Sequence, residues 1–135
     1  MKITRVVLAD DHPIVRASIR RLLEKAGDIK VVGEAGDGIE TIRLVEELSP
    51  DVLLLDVEMP GMKGFEVARR LRAAGAAVRI LALSSYDDKQ YILAMLASGA
   101  AGYLTKEEAP LTIIRAVREA VEGQTDIENP AHPED

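Results

Sequence analysis

Five side chains form a chemically suggestive set: the adjacent carboxylates of Asp10 and Asp11, a third carboxylate at Asp56, the hydroxyl of Ser84 and the ammonium of Lys106. Two carboxylates about 4 Å apart repel by about 4 kcal/mol at an effective dielectric near 20, so three acids brought together require a cation. Oxygen ligands with no His or Cys at ligand spacing favour Mg²⁺, with Mn²⁺ as the alternative. Such a site suits phosphoryl transfer, which needs an in-line nucleophile, charge neutralisation and further donors on the phosphoryl oxygens. Asp56 is the candidate nucleophile, Lys106 a point charge for phosphate oxygen, and the Ser84 hydroxyl a hydrogen-bond donor.

Each residue alone has a plainer reading. Asp10-Asp11 is an ordinary solvated helix start, and Asp56 a turn initiator before Met59-Pro60-Gly61. Lys106 is a loop lysine and Ser84 a strand-end hydroxyl bonded to backbone. His12 reads as a positioning or helix-entry residue with no catalytic role, because no second His lies near it. Convergence is what favours chemistry, and convergence depends on the elements that carry these residues.

Short apolar runs alternate with segments whose apolar residues recur every three to four positions, the pattern of a parallel sheet with crossover helices. The strands are predicted at about Ile3 to Ala9, Lys30 to Ala35, Val52 to Asp56, Val78 to Leu83 and Gly102 to Thr105. Helices are predicted at about Pro13 to Lys25, Gly38 to Leu48, Gly64 to Ala73, Lys89 to Ala97 and Leu111 to Glu122. Leu111, Ile114, Val117 and Val121 form the expected inner face of the last helix, and Gly123 its stop. Ligands of such sheets bind outside the carboxyl ends of the strands. Asp10, Asp11, Asp56, Ser84 and Lys106 all fall at that edge. Val52-Leu53-Leu54-Leu55 ahead of Asp56 predicts a strand buried on both faces that delivers the carboxylate at a fixed point.

At 135 residues and 47% hydrophobic, the chain suits one domain. That domain is read as residues 1–123, and 124–135 as a polar tail or truncated linker too poor in aliphatic residues to fold. The absence of Cys excludes disulfides and thiolate chemistry. No signal segment or membrane-length apolar run occurs, so a cytoplasmic location without membrane association is expected. A net charge of -6 argues against nucleic-acid binding through the overall field.

The segments Leu8-Ala9-Asp10-Asp11-His12, Leu54-Leu55-Asp56-Val57-Glu58-Met59-Pro60-Gly61, Leu83-Ser84 and Gly102-Tyr103-Leu104-Thr105-Lys106 together resemble the receiver domains of two-component response regulators over residues 3 to 123. Asp-Asp-His-Pro and Gly-Tyr-Leu-Thr-Lys are most similar to receivers that precede a LuxR-type helix-turn-helix output. The resemblance implies a flavodoxin-like, doubly wound α/β fold with a five-stranded parallel sheet in the order 2-1-3-4-5. It implies Asp56 as phosphoacceptor, with Lys106 and Ser84 contacting phosphate. Asp11, Asp56 and the Glu58 backbone carbonyl are the implied Mg²⁺ ligands, and Asp10 acts through metal-bound water. Ser84 and Tyr103 are the implied switch pair, the hydroxyl moving to phosphate while the ring turns inward.

The implied partner is a sensor histidine kinase or phosphotransfer protein, and the chemistry is limited to self-phosphorylation and self-dephosphorylation. Homodimerisation stays open, with the broad apolar surface of Tyr91, Ile92, Leu93, Met95 and Leu96 as one candidate. DNA is reached only through an output domain, and residues 124–135 decide neither for a chain cut in its linker nor for a stand-alone receiver. Two competitors remain. A metal-dependent phosphohydrolase would use Glu58 as general acid but has no room for a cap; a degenerate receiver would have lost an acid or the lysine, and all are intact. Glu58 and Tyr86 are expected to influence phosphoryl lifetime. Glu107 stands where many receivers have proline, so a trans Lys106-Glu107 bond is expected.

Overall fold

A run of apolar residues with no polar alternation is stable only where both faces of a strand are covered. Val52–Asp56 (β3) meets that condition: all five residues are buried in the computed structural model, which describes residues 2–84, 89–108 and 110–127. Thr4–Ala9 (β1) and Arg79–Ser84 (β4) flank it, Ile29–Ala35 (β2) lies outside β1, and Gly102–Thr105 (β5) outside β4. All pairs are parallel in the order β2-β1-β3-β4-β5, as expected.

Period-two alternation divides the sheet's side chains between two cores. Val6, Leu8 and Leu54 pack with Ile19 and Leu23 of α1 (Pro13–Glu24) and Ile113 and Val117 of α5 (Pro110–Ile127). Val7, Leu53 and Leu55 pack on the other face. Their partners there are Val45 of α2 (Gly38–Leu48), Val67 and Leu71 of α3 (Gly64–Ala73), and Met95 of α4 (Lys89–Ala97). Each fully buried Leu contributes about 1.5–3 kcal/mol of transfer free energy, so the edge of this sheet is a rigid platform.

The helix ends follow the local signals. Pro13 opens α1 at its first turn. Ser49, left-handed at φ 48°, closes α2 before Pro50. Gly75, at φ 78°, follows the end of α3, a conformation that costs glycine nothing. No cis peptide bond occurs among the described residues, so Lys106-Glu107 is trans.

Two expectations for α5 need correction. Leu111 is 70% exposed, and the fully buried stripe is Ile113, Val117 and Ala120, with Ile114 and Val121 packed at its margin. Both stripes share Val117, and Leu111 sits in the first turn of the helix. Gly123 does not stop α5, which continues to Ile127. An interior glycine costs only about 1 kcal/mol against alanine, and no proline intervenes before Pro130.

Candidate functional site at the carboxyl edge of the sheet

Each acidic residue reaches the site because its strand ends there. Asp10 follows β1, and its N–H donates to the Ala35 carbonyl at 3.0 Å, extending the ladder with β2 by one step. Its carboxylate is fully buried. Oδ1 accepts from the His12 N–H at 2.8 Å, and Oδ2 lies 2.9 Å from Lys106 Nζ as an ion pair. Asp56 ends β3 and is 2% exposed. Its Oδ1 accepts from the Glu58 N–H at 3.0 Å and its Oδ2 from Lys106 Nζ at 2.9 Å, so both oxygens are held and each keeps a lone pair.

Lys106 follows β5, and its own N–H donates to the Ser84 carbonyl at 2.8 Å, tying the loop to the end of β4. Ser84 is buried one residue past Leu83, which is registered against Asp56. Behind Asp56, Gly64 permits a close approach: a Cβ there would meet Val57 Cα at 2.9 Å and the Asp56 carbonyl at 3.3 Å. Only a bare Cα lets α3 start directly against the strand that carries Asp56.

Burial raises the Asp56 pKa above its ordinary value, outweighing the Glu58 N–H and Lys106, both of which favour the carboxylate. For Lys106 desolvation, which lowers the pKa, is the largest single influence. The attraction of the Asp10 and Asp56 carboxylates together overcomes it, so the Lys106 pKa is raised above its ordinary value. The two shifts are compatible, because Lys106 serves two carboxylates whereas Asp56 shares its one cation with Asp10. Among the described residues, the three carboxylates of Asp10, Asp11 and Asp56 formally outnumber the Lys106 ammonium by two.

The residues fit a hard divalent cation. Asp10, Asp11, His12 and Asp56 each offer a ligand atom, all within 4.8 Å of one another. Asp10 Oδ2 and Asp11 Oδ1 are buried without a hydrogen-bond partner among the described residues, a condition native proteins rarely leave unrelieved. Their contacts with Lys106 and His12 are ion pairs that lack hydrogen-bond geometry. A divalent cation held at this edge, directly or through its bound water, would satisfy both oxygens.

Asp10, Asp11, Asp56, Ser84 and Lys106 thus meet at one edge, as expected. Tyr103 does not join them: its ring is 46% exposed on β5, whereas the next residue, Leu104, is buried. The Glu58 side chain is exposed, and Tyr86 lies outside the described residues. His12 comes closer than sequence suggested, with Nδ1 3.2 Å from Asp10 Oδ1 and 3.0 Å from Asp11 Oδ1, attractive contacts when the ring is protonated. Sequence reasoning missed Arg16, whose Nη1 donates to the Asp10 carbonyl at 2.6 Å. A bond to a backbone carbonyl leaves no mark in residue types.

A concavity of about 490 Å³ at the opposite sheet edge, lined by Lys2, Ser49, Asp51 and Arg79 among others, contains none of the acidic cluster. Among the described residues, no helix is long and apolar enough to cross a membrane.

Comparison with known proteins agrees with this geometry. The family model for the response regulator receiver domain matches residues 6–118. The transcriptional regulatory protein YxjL of Bacillus subtilis is 40% identical over 120 residues, covering 89% of this chain and 55% of the relative. The nitrate/nitrite response regulator protein NarL of Escherichia coli is 40% identical over 119 residues, 88% of this chain and 55% of its own. The chain therefore spans about half the length of these relatives. The signal receiver domain of NarL from Mycobacterium tuberculosis superimposes with a TM-score of 0.88 at 39% identity, covering 91% of this chain and 99% of that one. A LuxR-family two-component response regulator from Aurantimonas gives a TM-score of 0.86 at 37% identity, over 90% of this chain and 87% of that one. With the acid pair, the strand-end aspartate and the lysine gathered at one edge of the same fold, the chain belongs to the response regulator receiver domain family.

Proposed function

We propose that this chain is a phosphorylation-controlled switch whose acceptor is Asp56 and whose donor is a sensor histidine kinase or phosphotransfer protein. The observation that carries the reading is Lys106 Nζ, 2.9 Å from both Asp10 Oδ2 and Asp56 Oδ2, beside the buried Asp11 Oδ1, which has no hydrogen-bond partner among the described residues. The Glu58 N–H and Lys106 favour the ionised form of the Asp56 carboxylate against the effect of its burial and hold it in one orientation. Its oxygen attacks phosphorus, the bond to the donor breaks, and the donor departs with the electron pair. Lys106 then pairs with a phosphoryl oxygen, and the Ser84 hydroxyl donates to another.

Asp11, Asp56 and the Glu58 carbonyl would hold Mg²⁺ or Mn²⁺, with Asp10 acting through bound water. When bound, the ion neutralises charge on the transferring phosphoryl group. Phosphorylation biases a two-state equilibrium in which Ser84 moves towards phosphate and the exposed Tyr103 ring turns inward, changing the surface of α4, β5 and α5. Leu93 and Leu96 of α4, 62% and 40% exposed, lie on that surface and are available to a partner or a second copy. The switch unit is residues 1–123, and α5, which runs past that boundary to Ile127, connects it to an output of LuxR type that acts on DNA. The working location is the cytoplasm. The unit carries out only its own phosphorylation and dephosphorylation.

Incubation with a small acyl phosphate, Mg²⁺ and a panel of phosphate esters tests this reading. Stoichiometric labelling, lost in Asp56→Asn, is expected. Repeated ester turnover would instead identify a hydrolase.

A further inference from the structure

We infer that Arg16 is a positioning residue for the cation site, holding the Asp10-Asp11 peptide so that both carboxylates stay turned towards the bound ion. The inference rests on the cation binding proposed above.

The backbone at Asp10 is held on both sides, and the carbonyl of the peptide between the two acids is held by Arg16. The Asp10 N–H donates to the Ala35 carbonyl at 3.0 Å, and the Asp10 carbonyl accepts from Arg16 Nη1 at 2.6 Å. Arg16 is itself aimed by Glu34 on β2, whose Oε1 accepts from Arg16 Nε at 3.0 Å while its Oε2 pairs with Arg20 one turn further along α1. Arg16 and Glu34 are about three-quarters buried, at 23% and 26% side-chain exposure. The arrangement needs a fork: one guanidinium nitrogen binds the carboxylate while another reaches the carbonyl, which a lysine ammonium cannot match at the same reach.

Docking of α1 does not require this bond. Ile19 and Leu23 already bury the helix against the sheet, and Arg20 already pairs with Glu34. What the bond adds is a fixed orientation for a peptide flanked by two mutually repelling carboxylates. Asp11 Oδ1 has no hydrogen-bond partner among the described residues and only the exposed His12 ring at 3.0 Å, so its direction rests largely on the backbone that carries it. Without Arg16 the peptide can rotate, and repulsion between Asp10 and Asp11 drives the two carboxylates apart.

The test is Mn²⁺ titration of the full chain, followed by electron paramagnetic resonance of free Mn²⁺, with circular dichroism melts alongside. Arg16→Met and Arg16→Lys are each expected to weaken Mn²⁺ binding about tenfold, the low end for residues that orient metal ligands. Arg16→Lys keeps a cation for Glu34 and serves if Arg16→Met fails to fold. Arg118→Gln, which cuts an ion pair at the opposite sheet edge, is expected to lower the melting temperature and leave Mn²⁺ affinity at the parental value. Parental affinity in folded Arg16→Lys would overturn the inference, as would equal weakening in Arg118→Gln. A parent that binds no Mn²⁺ would overturn the cation reading together with this one, whereas a binding parent with unaffected Arg16 variants overturns this one alone.

Discussion

Lys106 is the single ammonium set between two buried carboxylates, 2.9 Å from each, so its removal has a predictable sign. Breaking a buried pair by deleting one partner costs about 3–5 kcal/mol, because the remaining charge stays desolvated. Lys106→Met is therefore expected to lose about 3 kcal/mol in metal-free buffer, measured by urea unfolding, and to recover part of that in Mg²⁺. Unchanged stability without metal would show that the ammonium does not compensate the acids. Glu58 makes a second residue-scale prediction. Its N–H fixes Asp56 while its side chain is exposed two residues past the proposed acceptor, so Glu58→Gln and Glu58→Lys should change the half-life of the phosphorylated chain. Equal half-lives for parent and variants would reject the role. Asp10, Asp11, Asp56, Ser84 and Lys106 were legible in the sequence because each lies at or just past the carboxyl end of a strand. Arg16 and His12 were not, since one binds a carbonyl and the other is brought to the acids by a turn.

At the scale of elements, α3 and α5 are attached in ways that separate variants can probe. Gly64→Ala places a methyl 2.9 Å from Val57 Cα, and backbone on backbone has little room to yield. A loss of about 1–3 kcal/mol is expected from such overpacking, read as a lower urea midpoint at unchanged slope; a parental midpoint would show that α3 shifts freely. The α5 helix is held to the turn before β2 by a two-point pair, Arg118 Nε and Nη2 each 2.9 Å from a different Asp28 oxygen. The Arg118 hydrogen bond keeps the Asp28 pKa below its usual value. A lowered carboxylate pKa stabilises the fold above the unfolded value of about 3.9, and that stabilisation disappears as pH falls through the lower folded value. Asp28→Asn should therefore lose less stability than the parent between about pH 5 and pH 2, and identical acid profiles would contradict this. Strand and helix positions were readable because their periodicities differ. The phase of α5 was misjudged at Leu111 because two overlapping apolar stripes share Val117, and only packing on the sheet selects between them.

The whole molecule is a sheet with a core on each face and chemistry confined to one edge, so site variants can be separated from folding variants. Strand order decides which residues meet, and it follows from the same doubly wound rule that places ligands at the carboxyl ends. Because the acidic cluster carries two excess negative charges, cation binding should stabilise the fold by mass action, about 2.7 kcal/mol at a hundredfold excess over the dissociation constant. The most direct measurement of the central claim is intact mass after treatment with a small acyl phosphate, with and without Mg²⁺, in the parent and in Asp56→Asn. One phosphoryl group is expected on the parent in Mg²⁺, with none when the metal is chelated and none on Asp56→Asn. No mass gain on the parent, or the same gain on Asp56→Asn, would contradict Asp56 as the acceptor.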